Sequence, residues 1–331
     1  RDVAQSGSAL RWGCRGRRFK SCRPDHFIIR LTKLLKHMSK QSKVGWIGSG
    51  IMGYSMSKNL LDAGVSLSVF TRTKEKAAPL IERGASWVNS PAELAGEVDY
   101  LFSMVGYPHD VEEIYFGESG VFTDLQSGKI LIDMTTSCPG IAEKIAEKAR
   151  LSGSFSMDAP VSGGDLGARN ASLAIMCGGE REAFEQAKWL LEIMGKNIQF
   201  FGPAGSGQRV KMSNQILIAS TMIGTVEALL YAEKSNLELD KVINLIGQGA
   251  AGCWSLNNLG PRMIEEDWEP GFFVKHFIKD MEIALNDARR MDLELKGLGL
   301  AKDFYHKVKE AGFAEKGTQV LMKVLRRLNE R

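Results

Sequence analysis

The 331-residue sequence has no closely spaced cysteine pair. Its five cysteines, Cys14, Cys22, Cys138, Cys177 and Cys253, are scattered and odd in number. That argues against a disulfide scaffold and points to a reducing compartment. The histidines do not gather with cysteines or carboxylates at metal-ligand spacing, so no metal is expected. No uninterrupted apolar run reaches the length of a membrane span, so no membrane partner is expected. Acid is nearly missing from the N-terminus: residues 1–43 hold twelve Lys/Arg and two acidic residues, a balance of +10. The rest of the chain is at −6, within a total of +4. A mildly acidic body gives no reason to expect nucleic acid.

Residues 1–42 read as a basic leader, an organelle transit peptide, with mitochondrion ahead of plastid. Phe27 to Met38 mixes apolar and basic residues as an amphipathic helix would. The bland alternatives are a disordered basic tail or upstream sequence that is not normally translated. A natural chain starting at Met38, the first Met, would carry no leader and be cytosolic.

From Lys43 the pattern alternates. Expected strands are 44–47, 67–70, 100–104, 130–133, 155–159, 173–177 and 198–201, with helices between most of them, such as 52–63, 74–83 and 141–151. That alternation predicts an α/β, doubly wound parallel sheet of Rossmann type over residues 43–205. After Gly207 only helical patterns follow (208–235, 240–247, 277–291, 299–311, 316–329). Residues 206–331 are therefore expected to form an all-α C-terminal domain for substrate and oligomer contacts.

The organising stretch is Gly48-Ser49-Gly50-Ile51-Met52-Gly53, a G-x-G-x-x-G between a strand and a helix. Gly48 permits the turn, Gly50 lets backbone approach a pyrophosphate, and Gly53 lets the helix sit close to the strand. The helix N-terminus offers unpaired N–H groups to phosphate. The second strand ends Thr71-Arg72-Thr73, where an NAD-binding fold would place an acid for the ribose hydroxyl. None is present, and Arg72 suits a 2′-phosphate, with Thr71, Thr73 and Lys76 nearby. This favours NADP(H) over NAD(H). The loops from Met104-Val105 to Pro108 and from Asp133 to Ser137 belong at carboxyl ends of strands, where such sheets bind ligands. In the second of them Thr136 or Ser137 can also cap the following helix.

Ser162-Gly163-Gly164 can form a nest of N–H donors for a carboxylate. Lys211 falls one turn into the first helix of the second half, with Asn214 and Gln215 on the same face. Burial can lower a lysine pKa until it shuttles a proton. By spacing alone an ordinary turn and an exposed lysine explain these two stretches as well. Lys279-Asp280 begins a helix amid aromatics and reads from spacing as a packed surface segment.

Taken in order, Gly48–Gly53, Asp133–Thr136, Asp158–Gly164, Gly205–Asn214 and Lys279-Asp280 resemble the β-hydroxyacid dehydrogenase family. The resemblance runs from Lys43 almost to the C-terminus. It is strongest to plant mitochondrial 3-hydroxyisobutyrate dehydrogenase-like proteins, through Val105–Pro108, Asp158–Gly167 and Gly317-Thr318-Gln319. It implies Lys211 as general acid/base and Ser162, Gly163 and Gly164 on the substrate carboxylate. It further implies Thr136 and Lys279 at the cofactor, and Phe272 and Asp280 near the closed site. Four residues after the lysine the family usually has Asn; here Gln215 stands there with Asn214 beside it, so either amide can orient substrate. The expected activity is NADP-dependent hydride transfer on a short hydroxyacid or semialdehyde, by a homodimer or homotetramer. The alternatives are an NADPH-dependent glyoxylate or succinic semialdehyde reductase, and a catalytically silent nucleotide-binding interaction protein.

Overall fold

The computed structural model describes residues 42–330. The basic leader up to residue 41, its Phe27–Met38 segment and Arg331 lie outside the described residues.

Strand β1 (Lys43–Ile47) is buried on both faces. Val44 and Trp46 enter one apolar cluster, while Ile47 enters another on the opposite side. A side chain at Gly45 would meet Leu94 and Val98 there. This is the burial of a parallel strand covered by helices on both faces. Helix α1 (Ile51–Asp62) leads to β2 (Ser66–Phe70), and the two-residue β3 (Ser86–Trp87) adds the edge. Then come α2 (Pro91–Glu97), β4 (Tyr100–Ser103), α3 (Pro108–Phe116), β5 (Ile130–Asp133), α4 (Pro139–Leu151) and β6 (Phe155–Asp158). The order β3-β2-β1-β4-β5-β6 is parallel throughout, so the strand order reverses between β1 and β4. The carboxyl-end crevice at such a reversal is where this architecture binds ligands.

The sheet does not stay parallel as expected. Both β6 and β7 (Val161–Ser162) pair antiparallel with β8 (Leu173–Gly179). The segment joining β7 to β8 is too short for a crossover, so the chain turns back on its neighbour. Helix α5 (Arg181–Met194) lengthens the next connection, and β9 (Gly195–Gly202) is again parallel to β8.

Two expected helices are shorter than their pattern. Residues 74–83 form a 3₁₀ turn, Lys74–Ala77, and one helical turn, Ala78–Ile81. Pro79 lacks the N–H needed to run them together.

The second half is helical. Helix α6 (Ser206–Lys234) is followed by α7 (Leu239–Ile246), α8 (Val274–Arg290), α9 (Lys296–Glu310) and α10 (Leu321–Asn329). The last begins later than expected because the preceding strap spends its amides elsewhere. Gly317 N–H bonds Trp268 O at 2.9 Å and Thr318 N–H bonds Phe272 O at 3.2 Å. A π-helical turn, Ser255–Leu259, carries no sequence pattern that predicts it. On α6, Met212, Ala219, Met222, Val226 and Leu229 form a buried stripe at helical spacing. They pack with Phe277 and Met281 of α8 and Tyr305 of α9. By length and average hydropathy α6 meets the measure of a membrane span, although polar residues interrupt its apolar ones. Its buried stripe makes it the central helix of this half.

Candidate active site

At the glycine loop, Gly48 has φ of +96° and donates to Phe70 O at 2.8 Å. A side chain there would lie 2.3 Å from Met104 O, and one at Gly53 would lie 2.1 Å from Gly48 O. Gly50 instead faces open space as the N-cap of α1. Ile51, Met52 and Gly53 form the first helical turn, whose N–H groups have no intrahelical acceptors. The buried Ser49 Oγ has no hydrogen-bond partner among the described residues. Room for backbone approach, free amides at a positive dipole end and an uncommitted hydroxyl fit a pyrophosphate.

Beyond β2, Thr71 is half-buried while Arg72, Thr73 and Lys76 are exposed. Arg72 Nη1 lies 3.3 Å from Asp110 Oδ1. Val105 donates its N–H to Thr135 Oγ1 at 3.0 Å, tying the loop after β4 to the loop after β5.

Parallel pairing places Ser103, Asp133 and Asp158 side by side at the carboxyl ends of β4, β5 and β6. Ser103 Oγ donates to Asp133 Oδ1 at 2.8 Å, and Thr135 N–H donates to the same oxygen at 3.1 Å. Burial pushes Asp133 up to about 6, against those hydrogen bonds. Asp158 caps the start of α6, accepting Gly205 N–H at 2.8 Å and Gln208 N–H at 2.7 Å. Burial outweighs these amides and raises Asp158 to about 7.

Gln208 is a residue that the sequence reading passed over. It is fully buried. Its Oε1 accepts Ser137 N–H at 3.0 Å and its Nε2 donates to Thr135 O at 2.7 Å. The side chain thus clamps the loop carrying Thr136 to α6, three residues before Lys211. A lone glutamine in a helix start gives no sign of such a reach. Neither Thr136 nor Ser137 caps α4, contrary to the bland reading. Cys138 is the N-cap, without a side-chain bond, because Gln208 holds Ser137's backbone, and Ser137 Oγ is left without a partner.

Lys211 is buried, and burial lowers it to about 8, with Asp280 opposing the shift and Lys279 adding to it. Lys279 Nζ donates to Thr136 O at 2.6 Å. It lies 3.1 Å from Asp280 Oδ1, an ion pair outside hydrogen-bond geometry. Gln215 Nε2 donates to Asp280 Oδ2 at 2.6 Å, and Asn214 Nδ2 donates to Gln215 Oε1 at 2.7 Å. The two amides therefore form one relay ending on Asp280. Gln215 is buried and committed, while half-buried Asn214 is the more open of the two.

At Ser162-Gly163-Gly164 the backbone turns sharply, with φ of +130° at Gly163 and +62° at Gly164. Ser162 is half-buried. A side chain at Gly164 would lie 3.3 Å from Gly271 O, so this loop faces the segment that carries Phe272. Phe272 stacks edge-on against Phe277 of α8 at 5.8 Å. The structure thus joins Thr136, Asn214, Gln215, Lys279 and Asp280 in one polar network, and Lys211 lies buried in the electrostatic field of its Asp280 and Lys279. Arg72 stands apart, with Asp110.

Among known families, the NAD binding domain of 6-phosphogluconate dehydrogenase matches residues 43–202. The NAD-binding domain of NADP-dependent 3-hydroxyisobutyrate dehydrogenase matches residues 205–325. An uncharacterized oxidoreductase of Bacillus subtilis, YkwC, is 53% identical over 85% of this chain and 98% of its own. A probable mitochondrial 3-hydroxyisobutyrate dehydrogenase-like protein 1 of Arabidopsis thaliana is 46% identical over 87% of this chain and 86% of its own. A solved structure of Mycobacterium tuberculosis 3-hydroxyisobutyrate dehydrogenase with L-serine superposes with a TM-score of 0.80. It is 28% identical and covers 86% of this chain and 99% of that one. With the dinucleotide loop and the buried lysine already in place, these likenesses settle the matter of kinship: the chain belongs to the β-hydroxyacid dehydrogenase family, as a 3-hydroxyisobutyrate dehydrogenase-like oxidoreductase that binds a nicotinamide cofactor.

Proposed function

We propose that the chain interconverts the CH–OH of a short β-hydroxyacid and the corresponding semialdehyde, with Lys211 as general acid/base and NADP(H) preferred over NAD(H). The observation that carries this reading is the Lys211 amine, buried and so lowered to about 8, in the field of Asp280 and of the Lys279 that bonds Thr136 O. The nicotinamide, when bound, supplies or accepts the hydride. Gly48, Ser49, Gly50, Ile51, Met52 and Gly53 hold the pyrophosphate. Thr71, Arg72 and Thr73 receive the 2′-phosphate. Val105, Thr136 and Lys279 border the nicotinamide half. The nest at Ser162, Gly163 and Gly164 binds the substrate carboxylate, and Phe272 closes over it. Asn214 orients the substrate oxygen, while Gln215 holds Asp280, whose charge acts on Lys211. Lys211 takes the hydroxyl proton in oxidation and returns it in reduction. A panel of short hydroxyacids and semialdehydes, run with both cofactors, tests the assignment. Absence of turnover despite NADP(H) binding would favour the silent-protein alternative, and preference for glyoxylate or succinic semialdehyde would favour the reductase.

The NADP preference has its own test. Arg72→Ala is expected to lower kcat/KM for NADP(H) at least tenfold and leave NAD(H) nearly unchanged, because only the 2′-phosphate loses a charge-assisted partner. An unchanged ratio between the cofactors would refute Arg72 as the discriminator. The matched family being described as NADP-dependent supports the same preference.

We further propose a mitochondrial location, supported by the basic N-terminal 43 residues and the mitochondrial naming of the Arabidopsis relative. Cytosolic localisation of a tagged full-length chain would refute it. A homodimer or homotetramer is proposed from the exposed Leu217 and Tyr231 on α6, and light scattering in solution tests it.

A further inference from the structure

The second strand ends without the acid that would hold an NAD ribose. The fold brings an acid from elsewhere to the side of Arg72. Asp110, in the first turn of α3, sets Oδ1 at 3.3 Å from Arg72 Nη1 and 3.7 Å from His109 Nε2. Its Oδ2 accepts Tyr107 N–H at 3.0 Å, the N-cap amide of α3, which anchors the carboxylate. The partners differ in freedom. The Asp110 side chain is 16% exposed and the Arg72 side chain 88% exposed. The carboxylate is therefore the fixed member, and the guanidinium is the member able to turn toward a ligand. The charged groups beside the pair include His109 next to Asp110, and Lys74, Glu75 and Lys76 on the turn after Arg72, with Lys74 Nζ 5.2 Å from the Trp87 ring.

We infer that Asp110 is a specificity-determining residue for the cofactor: it serves as a resident counter-ion to Arg72 and so tempers the preference for NADP(H). This rests on the reading of Arg72 as the 2′-phosphate partner. When a 2′-phosphate arrives, it must share the guanidinium with the Asp110 carboxylate held at Nη1, and the two anions repel. When a 2′-hydroxyl arrives instead, Arg72 stays paired and no uncompensated cation lies beneath a neutral ribose. The pair therefore handicaps NADP(H) and admits NAD(H). An exposed pair of this kind has a modest interaction strength, corresponding to roughly a three- to fivefold effect on the ratio.

Asp110→Asn isolates the charge, because the amide oxygen still accepts Tyr107 N–H and the cap survives. Dissociation constants of NADP⁺ and NAD⁺ are measured by calorimetry for the parent, Asp110→Asn, Arg72→Ala and the double variant, alongside kcat/KM ratios. Asp110→Asn is expected to tighten NADP⁺ about three- to fivefold with NAD⁺ equal or weaker, and the gain should shrink when Arg72 is also Ala. A ratio of dissociation constants that stays at the parental value in Asp110→Asn, or moves toward NAD⁺, overturns the inference. If Arg72→Ala shifts the ratio in that same series, the NADP reading survives that failure. If Arg72→Ala leaves the ratio unmoved, the NADP reading fails first and this inference falls with it.

Discussion

Replacing Lys211 by Met is expected to lower kcat by about a thousandfold or more while making the protein more stable at neutral pH. The two effects have one origin. Burial holds the folded-state amine at about 8, below its ordinary 10.5. Below about pH 8 the fold must carry a buried ammonium, and keeping it there costs roughly 3 kcal/mol. From about pH 8 to 10.5 the unfolded chain binds the proton that the folded chain has released, so parental stability rises across that window. Met preserves most of the side-chain stem and removes the charge. The variant's Tm should therefore exceed the parent's at pH 7, and the gap should close toward pH 10. Kinetically, oxidation needs the neutral amine and should rise with pH through about 8. Reduction needs the ammonium and should fall through the same range. Near-parental kcat in Lys211→Met with any good substrate would end the assignment, as would a Tm gap that widens with pH.

The second large effect is expected from a residue with no proposed role at the cofactor or substrate. A side chain at Gly207 would lie 2.3 Å from Met176 O, 2.7 Å from Asp158 O and 2.8 Å from Asp158 Oδ2. Two of these atoms are sheet backbone and the third is a committed carboxylate, so α6 itself must move. Gly207→Ala is expected to cost roughly 3 kcal/mol, since overpacking in a rigid site relaxes poorly. Lys211 lies one turn further along the same helix. A displacement of order 1 Å should lower kcat in the folded fraction on the order of a hundredfold. Gly299→Ala in α9 meets nothing within 4 Å and serves as the control, with a small gain in stability expected. A Gly207→Ala protein with parental Tm and parental kcat would show that the close approach can yield without consequence.

Much of this was legible from the residues. The glycine spacing announced both the strand-turn-helix unit and its ligand, because three separate steric demands fall on three fixed positions. Strand alternation located the sheet to within a residue or two at most edges, since burial on two faces leaves long apolar runs. The antiparallel β8 was not legible, because strand direction depends on the length of a connection rather than on any residue in the strand. Pairings across long separations were equally hidden. Gln208 to Thr135 and Ser137, Asp158 to Gly205, and Asp110 to Arg72 join short polar side chains whose partners only topology selects. Lys211 stood out through family resemblance, yet its spacing alone suited a surface lysine. Its burial came from the seating of α6 against both the sheet and α8.

The cap that Asp158 places on α6 has a consequence for recombination between relatives. The sequence suggests a natural seam near Gly205, where strands give way to helices. Yet Gly205 and Gln208 lend their amides to a carboxylate in β6, and Gly178 leaves no space for a side chain against the Gly207 amide. A crossover at that seam would separate donor from acceptor and match two surfaces that had not been fitted to each other. A chimera that inherits residues 155–215 as one block keeps the joint whole, and sheet and helices can then be exchanged on either side of it.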